Sequence, residues 1–572
     1  MTDTRAVIII TLATLALVAA AVFRGQHPPG HDELNFLDTG LRMLGSKGNP
    51  GWFLHGSFLY DLMAVLQGGT YLIWSLAGNG WDPDKYLEFY LAHKDLYLLA
   101  GRFVVVMFAI ALLVALNRLA TLLYGGHAGP LAMALLGFGA LWLLSASPLK
   151  EDIPAGALGV LSVLVLFDSS LELRTSVRWG LSGVLCGVAI ATKYTMASLV
   201  LVPVIMALTN GNETPRRLLA VFLSGAGIGF LAVEPFVFLD VSHTMSSLQV
   251  LRGLSESGRR VMAPRYLFDF LPLGLGIPLV IAVIPAMLSA LFRHDWRLRA
   301  IVVYLCVGTA MCLFSTFSSP RYFMPVAPFL CMIVAGEVCR LEILKAEKAL
   351  ATASLAIILA WPANVLALKY LVLLSRPDTR HISQAWIESQ VPINSKILLE
   401  GTVTLEPTFA PALVPTAEWF EAKQQEAQAL GATGRVFRAA ASRAAQSGRP
   451  RYRIVENDIE DVPDLDLFDY VVLSSFDALP GEWQYIVDSH DPEIEQGVSK
   501  RQAALRLLER DFLEEFSSKP APNLKFDWVS NNPDFWGMWV SPLWSCSQWT
   551  VGPHIQVYRR LQKQTSQNIH SS

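Results

Sequence analysis

The apolar run AVIIITLATLALVAAAVF (6–23) is followed a few residues later by HDELNFLDTG (31–40), which places Asp32 and Glu33 side by side. The run is close to the roughly 20 residues that a helix needs to cross a bilayer. Only Arg5 precedes it and it lacks a small-residue cleavage site, so a retained transmembrane helix is predicted rather than a removed signal peptide. Two adjacent carboxylates therefore stand just beyond a predicted membrane span.

The whole chain has the composition of a membrane protein. Of its 572 residues, 53% are hydrophobic and only 16% are charged, whereas soluble proteins carry about 25% charged residues. The mean hydropathy is +0.40. A net charge of −3 argues against a nucleic-acid partner, which requires a basic face. Five of the six cysteines lie inside apolar runs, so neither a disulfide within the chain nor a cysteine-rich metal site is expected.

About eleven apolar runs are predicted to cross the membrane. They are 6–23, 101–122, 129–146, 153–167, 180–193, 195–209, 218–238, 271–292, 300–317, 322–339 and 349–372. A further apolar stretch, 58–78, contains Asp61, Gln67 and a Gly-Gly pair. If it spanned the membrane, nearly all the basic loops would face outward, against the positive-inside rule. It is therefore predicted to be a juxtamembrane or re-entrant helix on the outer face.

This topology places the N-terminus in the cytoplasm and divides the chain into two domains. Residues 1–373 are predicted to form a polytopic α-helical membrane domain, with a first outer loop at 24–100 that contains juxtamembrane helices. Residues 374–572 are predicted to form a soluble extracytoplasmic α/β domain. The segment SRPDTRHISQAWIESQVPINSKILLEG (375–401) is predicted to form a helix followed by a strand. Further strand candidates are RYRIVEN (451–457), FDYVVLSS (468–475) and HIQVYRR (554–560), and the helix-like segments between them are 417–446 and 499–516.

Polar residues that are distant in sequence come together at the outer ends of these predicted spans. They are Arg102, Lys150, Glu151, Asp152, Lys193, Glu234, Asp240, Arg321 and Tyr322, besides the Asp32–Glu33 pair. Charge near hydrocarbon is costly, and it usually faces a water-filled cavity and marks function. Carboxylates suit acid/base work, and Lys and Arg bind phosphate by charge-assisted hydrogen bonds. The set therefore indicates an outer-leaflet cavity for an anionic, lipid-phosphate ligand.

Several of these residues also have simpler explanations. Arg321 at a span end is compatible with a snorkelling anchor, as is Lys150, and Glu234 before a proline is compatible with a helix cap. His27, His31 and His55 share the first outer loop with the acids, so a divalent metal site there is left open.

Four short motifs together resemble the GT-C superfamily of membrane glycosyltransferases. They are the adjacent Asp-Glu pair of the first loop, Lys-x-Asp (150–152), ATKY (191–194) and RYFMP (321–325). The resemblance is strongest to the branch of protein O-mannosyltransferases and aminoarabinose transferases, which is glycosyltransferase family 39-like. DTRHISQAWI, DYVVLSS and GPHIQVYRR in the tail resemble bacterial members. This resemblance implies a GT-C fold and an inner (plasma) membrane location.

The resemblance also implies a reaction and catalytic residues. Members of this group move a sugar, here a hexose or a pentose, from a polyprenyl-phosphate donor to an acceptor at the outer face, with inversion at the anomeric carbon. Asp32 would be the general base that deprotonates an acceptor hydroxyl, with Glu33 beside it. Asp152 would be the partner acid that orients the acceptor or the donor.

The implied substrate-binding residues are cationic or aromatic. Lys193 and Arg321 would hold the lipid phosphate and Tyr322 would line the pocket, with Lys150 and Arg102 as further candidates. The second loop lacks the Asp-x-Asp pattern of metal-using oligosaccharyltransferases, so no metal is assigned. The acceptor is a lipid, a glycan or a protein. The alternative is a multi-pass lipid or sugar transporter or flippase, although only one interrupted helix pair, around Lys193, is found and transporters repeat such pairs.

Overall fold

The computed structural model describes residues 4–23, 31–51, 53–209, 213–257, 267, 271–313, 320–341, 349–374, 376–400, 410–429, 434–475, 492–518 and 554–561. The first part of the chain is helical. Its helices up to residue 257 are α1 (Thr4–Phe23), α2 (His31–Gly45), α3 (Phe58–Trp74), α4 (Pro83–Ala92), α5 (Lys94–Tyr124), α6 (Ala128–Gly137), α7 (Ala140–Ala146), α8 (Asp152–Phe167), α9 (Thr175–Thr192), α10 (Leu201–Thr209), α11 (Glu213–Val233), α12 (Phe236–Leu239) and α13 (Val241–Ser257). The helices that follow are α14 (Leu271–Leu275), α15 (Ile277–Phe292), α16 (Trp296–Leu313), α17 (Ala327–Arg340), α18 (Ala349–Leu359) and α19 (Ala363–Leu374).

Every predicted span coincides with one or two of these helices, because each long apolar run can bury its backbone polar groups only by forming a helix. Several runs are broken rather than continuous. The run 129–146 forms α6 and α7, which are bent by 71°, and the run 271–292 is interrupted at Gly276 between α14 and α15.

Within the described residues, three helices are long and apolar enough to cross a membrane, and a fourth is gained if α6 and α7 count as one span. The three are Lys94–Tyr124, Arg216–Val233 and Trp296–Leu313. The larger count of spans made from the sequence therefore stays a prediction, as does the placement of 58–78 on the membrane surface.

The helices α9 and α11 are in close contact, and this contact sets the position of Lys193 directly after α9. A Cβ atom added at Gly183 would lie 2.1 Å from the carbonyl oxygen of Phe222, and one added at Gly187 would lie 2.1 Å from that of Ala226. Small residues at such interfaces let two helix backbones approach closely. A larger side chain at either glycine would push α9 away.

The last part of the chain contains a six-stranded sheet in the order β2-β3-β1-β4-β6-β5. The strands are β1 (Lys396–Leu399), β2 (Val414–Pro415), β3 (Arg451–Glu456), β4 (Tyr470–Ser475), β5 (Phe512–Ser518) and β6 (His554–Arg560). β2, β3, β1 and β4 run parallel to one another, whereas β6 is antiparallel to both β4 and β5. The strand predicted at the end of 375–401 and the strands predicted within 451–457, 468–475 and 554–560 are confirmed.

Four helices accompany the sheet: α20 (Thr379–Gln390), α21 (Ala417–Ala429), α22 (Arg435–Gln446) and α23 (Pro492–Asp511). Ile387 of α20 packs into one apolar cluster with β1, β3, β4 and β6, and Leu508 of α23 packs into another with the opposite faces of β1 and β4. The predicted helix-like segment 499–516 is wrong at its end, because residues from Phe512 onward pair with β6 instead. The domain boundary predicted at residue 373 stays a prediction.

Candidate functional site

The charged residues predicted from the sequence gather where several helices begin or end. The start of α2, the loop before α8, the start of α8, the end of α9 and the short 3-10 turn Pro320–Phe323 contribute side chains to this region. Two buried ion pairs and one half-buried aromatic side chain define it.

The first ion pair joins Glu33 of α2 to Arg102 of α5. Arg102 donates from Nε to Glu33 Oε1 at 2.8 Å and from Nη2 to Oε2 at 2.8 Å. The backbone N–H of Leu149 also donates to Glu33 Oε1, at 2.8 Å. Both carboxylate oxygens are thus engaged, and the buried Glu33 ties α2, α5 and the loop before α8 together.

The second ion pair joins Asp152 to Lys193. Asp152 lies in the first turn of α8, where a helix dipole favours a negative charge. Lys193 follows α9 in an extended conformation, and its Nζ donates a hydrogen bond to Asp152 Oδ1. Both residues are buried. Among the described residues, Asp152 Oδ2 has no hydrogen-bond partner although it is buried.

Tyr322 lies close to two cations. The Nζ of Lys193 is 4.7 Å from the centroid of the Tyr322 ring, and the Cζ of Arg321 is 5.5 Å from it. Both distances are within the range of cation–π attraction. The Sγ of Cys312 in α16 donates to the carbonyl oxygen of Tyr322 at 3.4 Å, which fixes the 3-10 turn against that helix. The sequence prediction that Lys193, Arg321 and Tyr322 lie together therefore agrees with this geometry.

A further carboxylate, Glu151, lies beside this group. Its Oε1 is 3.4 Å from Nδ1 of His55, a residue of the first outer loop. Burial raises the pKa of Glu151, but His55, Lys193 and Arg321 outweigh burial and hold that pKa well below its usual range. Glu151 lies in the loop outside the predicted spans. Its Oε2 is buried and meets no hydrogen-bond partner in the part of the chain that the structure describes.

From the sequence, Glu151 is named without a role, and His55 is named only as one residue of a possible metal site. The signal that could have singled out Glu151 is its place between Lys150 and Asp152 in a loop too short to expose three successive charges. Lys150 is itself buried in this loop.

Glu234 serves a helix end rather than the charged cluster. Its carboxylate accepts from the backbone N–H and from the hydroxyl of Ser57, each at 2.6 Å. Ser57 is the residue that precedes α3. The helix cap considered from the sequence lies beside Pro235, whereas these contacts lie at the start of a different helix, α3.

The side chain of Asp32 lies outside the described residues, although its backbone belongs to the first turn of α2. The Glu33 contact with Leu149 brings this turn against the loop that holds Lys150, Glu151 and Asp152. Where side chains are described, no three His, Cys, Asp or Glu residues come close enough to hold a metal ion. His27 and the side chain of His31 are outside that set.

No protein-family model matches the sequence, and no curated protein matches it either. Solved structures do resemble it. ArnT from Cupriavidus metallidurans in the apo state has a TM-score of 0.46 and 14% identity, over 86% of this chain and 95% of that one. The Archaeoglobus fulgidus oligosaccharyltransferase in the apo form has a TM-score of 0.42 and 9% identity, over 68% of this chain.

Arabinofuranosyltransferase AftD from Mycobacteria has a TM-score of 0.43 and 13% identity, over 70% of this chain and 30% of that one. The chain spans 62% of the length of the archaeal oligosaccharyltransferase. Because the identities and TM-scores are low, a function for this chain has to be inferred from the geometry of its own site.

Proposed function

We propose that the chain is an inverting GT-C glycosyltransferase that moves a sugar from a polyprenyl-phosphate donor to an acceptor hydroxyl at the outer face of the membrane. The observation that carries this proposal is the incomplete bonding of two adjacent buried carboxylates. Asp152 and Glu151 each keep one buried oxygen without a partner among the described residues. A buried acceptor without a donor is costly, and an incoming hydroxyl group would supply that donor.

The phosphate of the donor is assigned to the cations beside these acids. Lys193 carries three N–H donors and uses one on Asp152, so it can hold Asp152 and a phosphate oxygen together. Arg321 acts on both Glu151 and Lys193 electrostatically, which places its charge within range of the same phosphate. Preorganised cations are most effective where negative charge grows, and here it grows on the departing phosphate.

The base is assigned to Asp32, as the family resemblance implies. The bond from Leu149 to Glu33 supports this assignment, because it holds the turn that contains Asp32 against the loop that contains Asp152. Asp152 would orient the acceptor hydroxyl. Glu33 and Arg102 engage each other, so we assign them a positioning role in place of the chemical and substrate-binding roles considered from the sequence.

The reaction is then a single displacement. The acceptor oxygen forms a bond to the anomeric carbon from the face opposite the phosphate, and its proton passes to the base. The bond between the anomeric carbon and the phosphate oxygen breaks, and its electron pair stays on that oxygen. The products are the glycosylated acceptor and polyprenyl phosphate. Holding three reacting groups in line supplies much of the acceleration, and proton removal supplies a further factor of about 10²–10⁴.

The test is to reconstitute the purified chain in bilayers with a panel of polyprenyl-phosphate hexoses and pentoses and to measure release of polyprenyl phosphate. We expect one donor to be consumed when lipid, glycan and protein acceptors are supplied in turn. Asp32→Asn should abolish this release. Asp84→Asn, an exposed carboxylate at the start of α4 that pairs with the exposed Arg435, should leave it nearly unchanged, because exposed pairs contribute little.

Two results would overturn the proposal. The first is full activity of the Asp32→Asn variant, which would show that Asp32 is not the base. The second is movement of a lipid or sugar across the bilayer without consumption of any donor, because that is the behaviour of a transporter or flippase.

A further inference from the structure

A second charged cavity lies at the opposite end of the helices that carry the candidate site. It has a volume of about 710 Å³ and is lined by the last residues of α8 and α10, the first turns of α9 and α16, and Leu218 of α11. Asp152 and Lys193 lie at the other ends of α8 and α9. The 16 residues of α8 span about 24 Å, so the cavity is separate from the site.

The cavity carries an excess of positive charge. Arg178, Arg297 and His294 line it, and Asp295 is the acid among the residues that line it. Asp295 is already engaged by Arg297, which donates to it from Nε at 3.1 Å and from Nη2 at 2.9 Å. Arg178 is therefore the cation that is not balanced inside the cavity.

The guanidinium of Arg178 indicates what kind of ligand this cavity could bind. Its Nε is buried and has no hydrogen-bond acceptor among the residues that the structure describes. A buried N–H of a charged group without an acceptor is destabilising. Phosphate oxygens are strong acceptors for such a group.

The remaining lining is apolar and aromatic. Phe167, Trp179 and Trp296 face the cavity, with the Phe167 and Trp296 rings 5.8 Å apart in a T-shaped contact. Tryptophan is enriched at the membrane–water interface, where one side of the ring meets lipid. A cavity lined by both an arginine and aromatic rings can bind a phosphate and an apolar group together. It therefore suits a phosphate attached to an apolar group better than it suits a free phosphate ion.

We propose that this cavity binds the phosphate headgroup of an anionic phospholipid of the cytoplasmic leaflet. The loops around it are those that the positive-inside rule assigns to the cytoplasm, and basic pockets between transmembrane helices on that side are suited to anionic headgroups. The proposal concerns lipid recognition and does not depend on the transferase reaction.

The test uses the full chain, stripped of lipid in a neutral detergent, with three probes added separately: short-chain phosphatidylglycerol, short-chain phosphatidylcholine and inorganic phosphate. We expect phosphatidylglycerol to bind saturably and to raise the unfolding temperature, with an affinity at least about tenfold higher than that of the other two probes. Arg178→Gln should weaken this binding about tenfold. Arg174→Gln, an exposed arginine one helical turn earlier, should leave it within about twofold.

Each other outcome contradicts the proposal. Equal binding of the two lipids would show that charge is not recognised, and equal binding of inorganic phosphate would show that the lipid is not the ligand. Equal weakening by Arg178→Gln and Arg174→Gln would show only a diffuse surface charge. Should Arg178→Gln fail to fold, Arg178→Lys keeps the charge and loses the planar fork, and binding weakened less than about twofold would then count against the proposal.

Discussion

Two buried ion pairs lie at the same end of the helices, and they differ in how completely they are bonded. Glu33 and Arg102 form two parallel hydrogen bonds, and Leu149 adds a third. Asp152 receives Lys193 on one oxygen and leaves the other without a partner among the described residues. The first pair is complete without a ligand, and the second pair is not.

The difference teaches that burial of charge alone does not identify a catalytic group. A buried pair with every acceptor filled fixes the positions of the helices that carry it. A buried pair with an unfilled acceptor keeps a capacity that a substrate can use. On this criterion we propose the Asp152–Lys193 pair as the chemical centre and the Glu33–Arg102 pair as its support.

The largest expected effect is on catalysis by the incomplete pair. Asp152→Asn removes the carboxylate that orients the acceptor, and the rate of sugar transfer per folded molecule should fall about 10³-fold. Asp95→Asn, an exposed acid in the first turn of α5, is the matched control and should keep its rate. Transfer rates measured with the donor that the reconstitution assay identifies check this. A loss below about tenfold would show that the incomplete pair matters no more to catalysis than the complete pair.

The next effect is on the stability of the complete pair. Glu33→Gln leaves Arg102 buried without its counter-charge and should destabilise the fold by about 3–5 kcal/mol. Glu33→Gln combined with Arg102→Gln removes both charges and should recover most of that loss. Thermal unfolding in detergent measures both variants, and a double variant no more stable than the single one would show that the two charges are not coupled.

A smaller effect concerns pH and Glu151. Because the pKa of Glu151 is held below its usual value of 4.5, its charged form stabilises the folded state at every pH above that value. This stabilisation is lost only as the pH falls below 4.5 and through the folded-state pKa. Glu151→Gln should thus lower the unfolding temperature at pH 7 and make little difference at the most acidic pH that the protein tolerates. Unfolding curves across pH check this, and a deficit that grew on acidification would contradict it.

The smallest expected effect is at the aromatic ring beside the two cations. Tyr322→Leu removes the ring that lies 4.7 Å from Lys193 Nζ, and a cation–π contact contributes about 0.5–2 kcal/mol, depending on how far it is desolvated. The Michaelis constant for the donor should rise by up to about 30-fold on this estimate. Tyr322→Phe keeps the ring and is the matched control. If both variants bound the donor equally well, the ring would have no role beside Lys193.

Much of the fold could be predicted from the sequence, because apolar runs and strand alternation report burial directly. The bend between α6 and α7 falls at Gly137 and Gly139. Two glycines permit a break in an apolar run, but its angle depends on what packs around them, here Thr14 and the carbonyl oxygen of Gly274. β5 could not be predicted as a strand, because FLEEFSS (512–518) follows a helix-forming segment directly and its apolar residues do not alternate regularly. Only its pairing with β6, which includes a register shift between Glu514 and Phe516, makes it a strand.

The sequence could predict which charged residues gather in the candidate site, but not which of them bond to each other. Asp32 and Glu33 are neighbours in sequence, yet about 100° separates them around a helix, so their roles depend on how α2 is rotated. Likewise, the sequence does not show whether Lys150 or Lys193 forms the ion pair with Asp152. The packing of α9 on α11 decides between them, because it holds Lys193 beside α8.

The most direct measurement compares two doubly neutralised variants for initial rate of sugar transfer, each corrected for the fraction of folded protein. Asp152→Asn with Lys193→Gln removes the incomplete pair, and Glu33→Gln with Arg102→Gln removes the complete one. The first variant should fold and transfer no measurable sugar, whereas the second should still transfer it at a reduced rate. Transfer by the first variant at a rate equal to or above that of the second would contradict the assignment of Asp152 and Lys193 as the chemical centre.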